Sequence, residues 1–315
     1  MELTLAQNIG VDISKDALDV AVHPAGQTFR VANDRDGHLA LVRRLRKLDV
    51  GRIVFEATGA YHRLFERTLA EAGLPLVKVN PRQARRFAEA AGKLAKTDRC
   101  DALMLARMGA ALELEPRPAV SPTVEAAKEL VKARDALVKD RVAALNRQAT
   151  AVSPLIKRQL VHRLRQIDRR IEAIDRELRA LRNADGEWRQ RFDILASIPR
   201  VGETTANALM VETPELGRLD HSQIASLAGL APVARDSGQT LGNRSIRGGR
   251  MRARRALYMP ALAAIRFNPQ LKTRYQAMIK AGKPAKVALV AVMRKLLILA
   301  NALIRDQRKW SPNAP

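Results

Sequence analysis

The run Ile9-Gly10-Val11-Asp12-Ile13-Ser14-Lys15 decides how the first third of the chain is read. Ile9 to Ile13 is a short apolar run ending in polar residues, the pattern of a strand. Ala17 to Val22 and Thr28 to Val31 are two further strand-like stretches, with Pro24-Ala25-Gly26 as the turn between them. Asn33 to Leu48 then carries Leu39, Val42, Leu45 and Leu48 at helical spacing. Arg52-Ile53-Val54-Phe55 predicts a strand that stops at Glu56-Ala57-Thr58-Gly59, and Tyr61 to Ala72 predicts a helix. Leu74 to Val79 predicts another strand, closed by Asn80-Pro81, with helical sequence after it and a second helix from about Asp98 to Leu112.

Three antiparallel-type strands followed by strand–helix alternation is the pattern of an α/β domain of RNase H-like (RuvC-like) type, expected over residues 1–115. Residues 122–185 predict a pair of long helices. In the second of them Leu160, Leu164, Ile167, Ile171, Ile174, Leu178 and Leu181 follow 4-3 spacing, the seam of an antiparallel coiled-coil hairpin. Ser153-Pro154 interrupts the pair, and the expected role is a spacer or dimerisation arm. Residues 190–310 predict a mainly α domain, in which Ile198-Pro199-Arg200-Val201-Gly202 reads as a helix-hairpin-helix turn or a plain helix connector.

Charge narrows the function. The 315 residues carry 56 Lys+Arg against 32 Asp+Glu, a formal net charge of +24, which points to a polyanionic partner. Residues 1–110 are net +5, residues 111–190 are net +5, and residues 191–315 are net +14. Arg235 to Lys295 holds fifteen basic residues and one acid, Asp236, so the nucleic-acid surface is expected in the last third. Aromatics are 3% of the chain, too few for a base-stacking platform. The single cysteine, Cys100, excludes a disulfide scaffold and a Cys-based structural zinc site. No apolar run is read as approaching the roughly 20 residues that span a bilayer. The start Met1-Glu2-Leu3-Thr4 lacks the basic region of a signal peptide. The expected setting is the cytoplasm, with no membrane partner.

Four acids in the first domain suggest chemistry. Asp12 ends the first strand, Glu56 ends the central strand, and Asp98 and Asp101 are three apart on a helix and share a face. Strand C-termini open onto one edge of an α/β sheet, where sites lie. Carboxylates that close together are unfavourable without a cation, and hard oxygen ligands suit Mg2+ or Mn2+. Two such ions about 4 Å apart activate an attacking oxygen and stabilise the leaving oxygen of a phosphodiester. Taken singly, each acid also reads as a turn or cap residue, Asp98 as a helix N-cap after Lys96-Thr97. Asp16, Asp19 and Glu66 are read as solvated.

The segments Ile9 to Lys15, Glu56-Ala57-Thr58-Gly59-Ala60-Tyr61-His62, Val79-Asn80-Pro81 and Ala95-Lys96-Thr97-Asp98-Arg99-Cys100-Asp101-Ala102 resemble the DEDD transposases of insertion sequences. Gly229-Leu230-Ala231-Pro232, Ser237-Gly238, Ile246-Arg247-Gly248-Gly249 and Gly282-Lys283-Pro284 resemble that family's C-terminal domain. The resemblance implies metal binding by Asp12, Glu56, Asp98 and Asp101. It also implies attack on DNA by a serine, matched here by Ser237, with metals assisting from the other domain across a dimer. Ser245 is the neighbouring competitor, and Asp-Ser-Gly is also a common turn. Arg200 stands where the family's hairpin has glycine.

The resemblance further implies double-stranded DNA and a structured non-coding guide RNA as partners, in a homodimer or homotetramer. Arg244, Arg247, Arg250, Arg252, Arg254 and Arg255 crowd twelve positions and, with Lys283 and Lys286, are the expected phosphate contacts. A junction nuclease that uses water, and a non-catalytic nucleic-acid-binding protein, are the alternative readings.

Overall fold

A computed structural model describes residues 6–57, 59, 61–92, 98–116, 121–234, 237, 242 and 244–311, without the side chains of residues 98–100. The chain divides into two compact units, Met1–Ala119 and Val120–Pro315.

The first unit is a mixed sheet with helices on both faces. Its strands are β1 (Gln7–Ile13), β2 (Ala17–His23), β3 (Gln27–Ala32), β4 (Val50–Glu56) and β5 (Leu76–Val79), in spatial order β3-β2-β1-β4-β5. β1 pairs antiparallel with β2 and β2 with β3, while β1–β4 and β4–β5 are parallel. Alternation sorts the side chains. Ile9, Val11, Ile13, Leu18, Val20, Val22, Ile53 and Phe55 fall on one face and pack on Leu41, Leu45, Phe65 and Leu69. These four come from α1 (Arg35–Leu45) and α2 (His62–Glu71). Val54, Val77 and Val79 fall on the other face and pack on Leu105 and Met108 of α4 (Asp98–Ala111), with Ala84 and Phe87 of α3 (Pro81–Ala90) alongside.

The second unit begins with α5 (Pro122–Thr150) and α6 (Pro154–Ala184), joined by three residues. Two ion pairs fix their register: Arg134 Nε to Asp175 and Arg141 Nε to Asp168, each 2.6 Å. The pairs lie seven residues apart on each helix and run in opposite directions, so the two helices are antiparallel. Leu160, Ile167 and Leu178 of the seam are buried, and the other seam positions are half-buried. Proline at the first helical position starts α3, α5, α6 and a later helix, in each case after Asn or Ser.

The remaining elements are α7 (Gly186–Ser197), α8 (Glu203–Glu212), α9 (His221–Leu227), β6 (Pro232–Val233), β7 (Ser245–Ile246), α10 (Met251–Phe267), α11 (Pro269–Lys280) and α12 (Ala285–Arg305). β6 and β7 form a short antiparallel ribbon that the sequence pattern did not predict. The 21-residue α12, with mean hydropathy 2.1 over its most apolar stretch, is long and apolar enough to cross a membrane. This corrects the expectation that no run approaches that length; the stretch includes Arg294 and Lys295. In this fold α12 is a core helix: Val292, Leu296, Leu297, Ala300 and Leu303 are buried among α7, α9 and α10. Its Asn301, also buried, accepts from the Gly217 amide and donates to the Leu219 carbonyl, both at 2.8 Å.

Candidate active site

Gly10 sets the position of α4. A Cβ at Gly10 would overlap the Ala102 carbonyl and the Ala106 amide, so the helix backbone rests directly on β1. Further along α4, a Cβ at Gly109 would press on the Val54 side chain, and Arg52 Nη1 donates to the Gly109 carbonyl at 2.8 Å. The helix therefore runs against β1 and β4, with its N-terminal turn toward their C-terminal ends.

Asp12 lies two residues beyond Gly10 on the same face. Two strand residues advance about 6.6 Å, a little over one helical turn. Asp12 is thereby brought beside the turn that begins α4 with Asp98 and Asp101. The register Val11↔Phe55 puts Glu56 next in line on β4, on the face that Val54 shares. Asp12, Glu56 and Asp101 are half-buried. The structure thus brings three of the four predicted acids to one face and one end of the sheet. The fourth, Asp98, has its backbone in the same turn and its side chain outside the described ones.

Among the described residues, no three acids, histidines or cysteines lie close enough to cage a metal ion. The chemistry of the described carboxylates, all hard oxygen donors on one face, fits Mg2+ or Mn2+ and not a soft metal. The N-terminal end of α4 adds a favourable field for the negative charge of the acids.

Two residues that the sequence did not single out brace this edge. Asn33 Nδ2 donates to the Ser14 carbonyl at 2.7 Å and to the Tyr61 carbonyl at 3.3 Å. It ties the chain just past Asp12 to the chain just past Glu56. Its Oδ1 accepts from His38 Nε2 at 2.8 Å. His38 is fully buried, and its Nδ1 has no hydrogen-bond partner among the described residues. Burial holds the imidazole below its ordinary pKa, with the Asp34 charge opposing more weakly.

Two acids read as solvated are buried instead. Asp19 is 5% exposed because β2 is an inner strand covered on both faces. Glu66 is 8% exposed and pairs with Lys78 from β5, with His62 at 3.7 Å. Asp16 is exposed as expected.

Ser237 is exposed, on the excursion between β6 and β7; Arg235, Asp236, Gly238 and residues 239–241 lie outside the described residues. Ser245 is also exposed and pairs within the ribbon with Val233. The crowded arginines divide between those with partners inside the fold and those that are exposed. Arg250 makes a two-pronged ion pair with Glu215 at 2.5 and 2.6 Å and donates to the Glu212 carbonyl at 2.7 Å. Arg254 Nη1 donates to the carbonyls of Gly248, Gly229 and Ala228 at 2.9, 3.2 and 3.3 Å. Arg252 lies 3.9 Å from Glu212. Arg244, Arg247, Arg255, Lys283 and Lys286 remain exposed.

Gly248 and Gly249 turn at φ of 67° and 64°, and a Cβ at Gly249 would overlap the Gly229 backbone. Arg250 and Arg254 therefore brace the base of the ribbon that carries Ser237. The hairpin turn between α7 and α8 forms with Arg200 at φ 71°, its guanidinium 4.0 Å from the Phe267 ring centre. Arginine in this left-handed position gains the cation–π contact that a glycine would lack.

A mixed sheet followed by a strongly basic helical unit is the outline of a protein that works on nucleic acid. Residues 9–154 match the transposase family DEDD_Tnp_IS110, and residues 192–276 match the Transposase IS116/IS110/IS902 family. The chain belongs to the insertion-sequence transposases of this IS110/IS116/IS902 family.

Among its relatives, the pilin gene-inverting protein of Moraxella lacunata is 29% identical over 315 residues, spanning 96% of this chain and 97% of its own. The corresponding protein of Moraxella bovis shows the same identity and coverage. A 43.6 kDa protein of insertion element IS110 from Streptomyces coelicolor is 31% identical over 124 residues, 39% of this chain and 31% of its own. Transposition and DNA recombination are thus the activity class of this chain.

Proposed function

We propose that this transposase is a DEDD-type recombinase of a bacterial insertion element. In this reading it cuts and rejoins double-stranded DNA by metal-assisted phosphoryl transfer, under the direction of a structured non-coding RNA. The observation that carries it is the convergence of Asp12, Glu56 and the Asp98–Asp101 turn on one face and one end of the sheet. The strand order β3-β2-β1-β4-β5, with two antiparallel and two parallel pairings, supports an RNase H-like, RuvC-like reading of the first unit.

Asp12, Glu56, Asp98 and Asp101 would hold two Mg2+ or Mn2+ ions. When bound, these supply Lewis-acid stabilisation of the charge that builds on the phosphate. Ser237 supplies the attacking hydroxyl oxygen, a weak nucleophile until its proton is withdrawn. Its Oγ loses its proton to solvent and bonds to phosphorus as the deoxyribose oxygen leaves and takes up a proton, giving a covalent protein–DNA link that a later transfer releases. Arg244, Arg247, Arg255, Lys283 and Lys286 neutralise phosphates on DNA or RNA. The α5–α6 hairpin acts as a coiled coil that supports a homodimer or homotetramer. The site of action is the bacterial cytoplasm, on the nucleoid.

The test is a denaturing gel after incubation with a duplex carrying the ends of the element, its guide RNA and Mg2+. The wild-type chain yields a protein–DNA adduct, and Ser237→Ala and Asp12→Asn do not. An adduct that persists in Ser237→Ala overturns the serine assignment. Cleavage by the wild type with no adduct favours a nuclease that uses water.

A further inference from the structure

One rung of the sheet is charged across three strands. The β1–β2 register places Asp19 directly opposite Asp12, and the β2–β3 register places Arg30 directly opposite Asp19. All three lie on the face covered by α4, because Gly10 and Ala21 occupy the preceding pair on that face. Opposed residues of an antiparallel pair have their Cβ atoms about 4.5–5.5 Å apart, and like charges in that arrangement repel. Asp19 is 5% exposed, so water gives it little relief. Arg30 reaches Asp19 from the outer side only as an ion pair at 3.7 Å, and its own side chain is 59% exposed. The pair is therefore a weak neutraliser of Asp19.

We infer that Asp19 is a positioning residue for metal capture at Asp12. Resting on the metal reading above, its buried carboxyl group directly across from Asp12 turns the Asp12 carboxylate away from β2, toward Glu56 and the first turn of α4. The same group deepens the negative potential that attracts a divalent cation. A neutral amide at position 19 reverses both effects: it offers an N–H to Asp12, which draws that carboxylate back toward β2 in competition with a cation. Arg30 opposes Asp19, so removing its charge strengthens the field. A carboxylate kept only to satisfy Arg30 gives no such opposition of sign.

The experiment measures Mn2+ binding by titration calorimetry on the full-length chain, with Mn2+ as the sole ligand and thermal melting run alongside. Asp19→Asn is expected to weaken Mn2+ binding about ten-fold. Arg30→Gln, at an exposed position that does not endanger folding, is expected to tighten it about two-fold. Wild-type affinity in Asp19→Asn, with binding lost in Asp12→Asn, overturns the role of Asp19 and leaves the metal site standing. Weaker binding in Arg30→Gln overturns it as well, since the pair is then a structural clamp. Unchanged binding in Asp12→Asn overturns the metal reading itself, and the inference with it.

Discussion

The two units treat charge in opposite ways. In the first, backbone packing sets charges at one end of the sheet: Gly10 lets α4 settle on β1, so Asp12, Asp19, Glu56 and Asp101 share the face that α4 covers. In the second, a row of arginines close in sequence is divided by packing. Arg250 and Arg254 turn inward to Glu215 and to carbonyl groups, while Arg244, Arg247 and Arg255 stay outside. Clustered charge in space is costly and therefore informative about chemistry. Clustered charge in sequence is cheap, because a helix scatters neighbouring side chains around its axis.

The sharpest way to break the first arrangement is Gly10→Val. The new side chain has nowhere to go but into α4, so the helix must lift from the sheet. The expected cost is about 3 kcal/mol, read by chemical denaturation, together with loss of Mn2+ binding. The second arrangement is separated by two substitutions on one helix end. Arg250→Ala leaves Glu215 and the Glu212 carbonyl without their partner, and is expected to cost about 2 kcal/mol of the second unit's stability. Arg255→Ala is expected to change stability by less than about 0.5 kcal/mol. It lowers the slope of DNA affinity against salt by about one unit, read by fluorescence anisotropy at several salt concentrations.

A smaller effect comes from protons. His38 is held neutral by burial, below its ordinary value of 6.5. Below pH 6.5 the unfolded chain binds a proton that the folded chain refuses. The stability of the first unit is therefore complete above that pH and declines as pH falls toward the folded value. Melting is expected to drop by a few degrees, and His38→Gln to flatten that decline in a melting series across pH. Another small effect belongs to neither arrangement. Arg141 and Asp168 are each more than 40% exposed, and Arg141→Ala is expected to cost about 0.5 kcal/mol by denaturation.

The strands and helices of the first unit were legible in the sequence because apolar alternation, helical spacing and turn residues such as Asn80-Pro81 all act locally. The strand-end positions of Asp12 and Glu56 were legible because both follow apolar strand runs. What could not be read is whatever depends on a partner far along the chain. Asp19 looks like any polar residue in a strand, and its burial follows from α4, eighty residues away, lying across β2. Glu66 is covered by Lys78 arriving from β5. Asn33 and His38 carry no sequence signal for the brace they form, since its anchors are backbone carbonyls. Arg250 and Arg254 could not be told from their exposed neighbours until Gly229 and Gly249 were seen to meet.

The α5–α6 pairing has one further consequence. With Arg134–Asp175 and Arg141–Asp168 seven residues apart on both arms, the hairpin is a ruler marked in heptads. Its longer arm of 31 residues reaches about 46 Å at 1.5 Å per residue. One residue inserted in one arm turns everything beyond it by about 100° and breaks the seam. Seven inserted in each arm keep both pairs in step. The reach of this arm can therefore change by evolution or by design only in strides of about 10 Å.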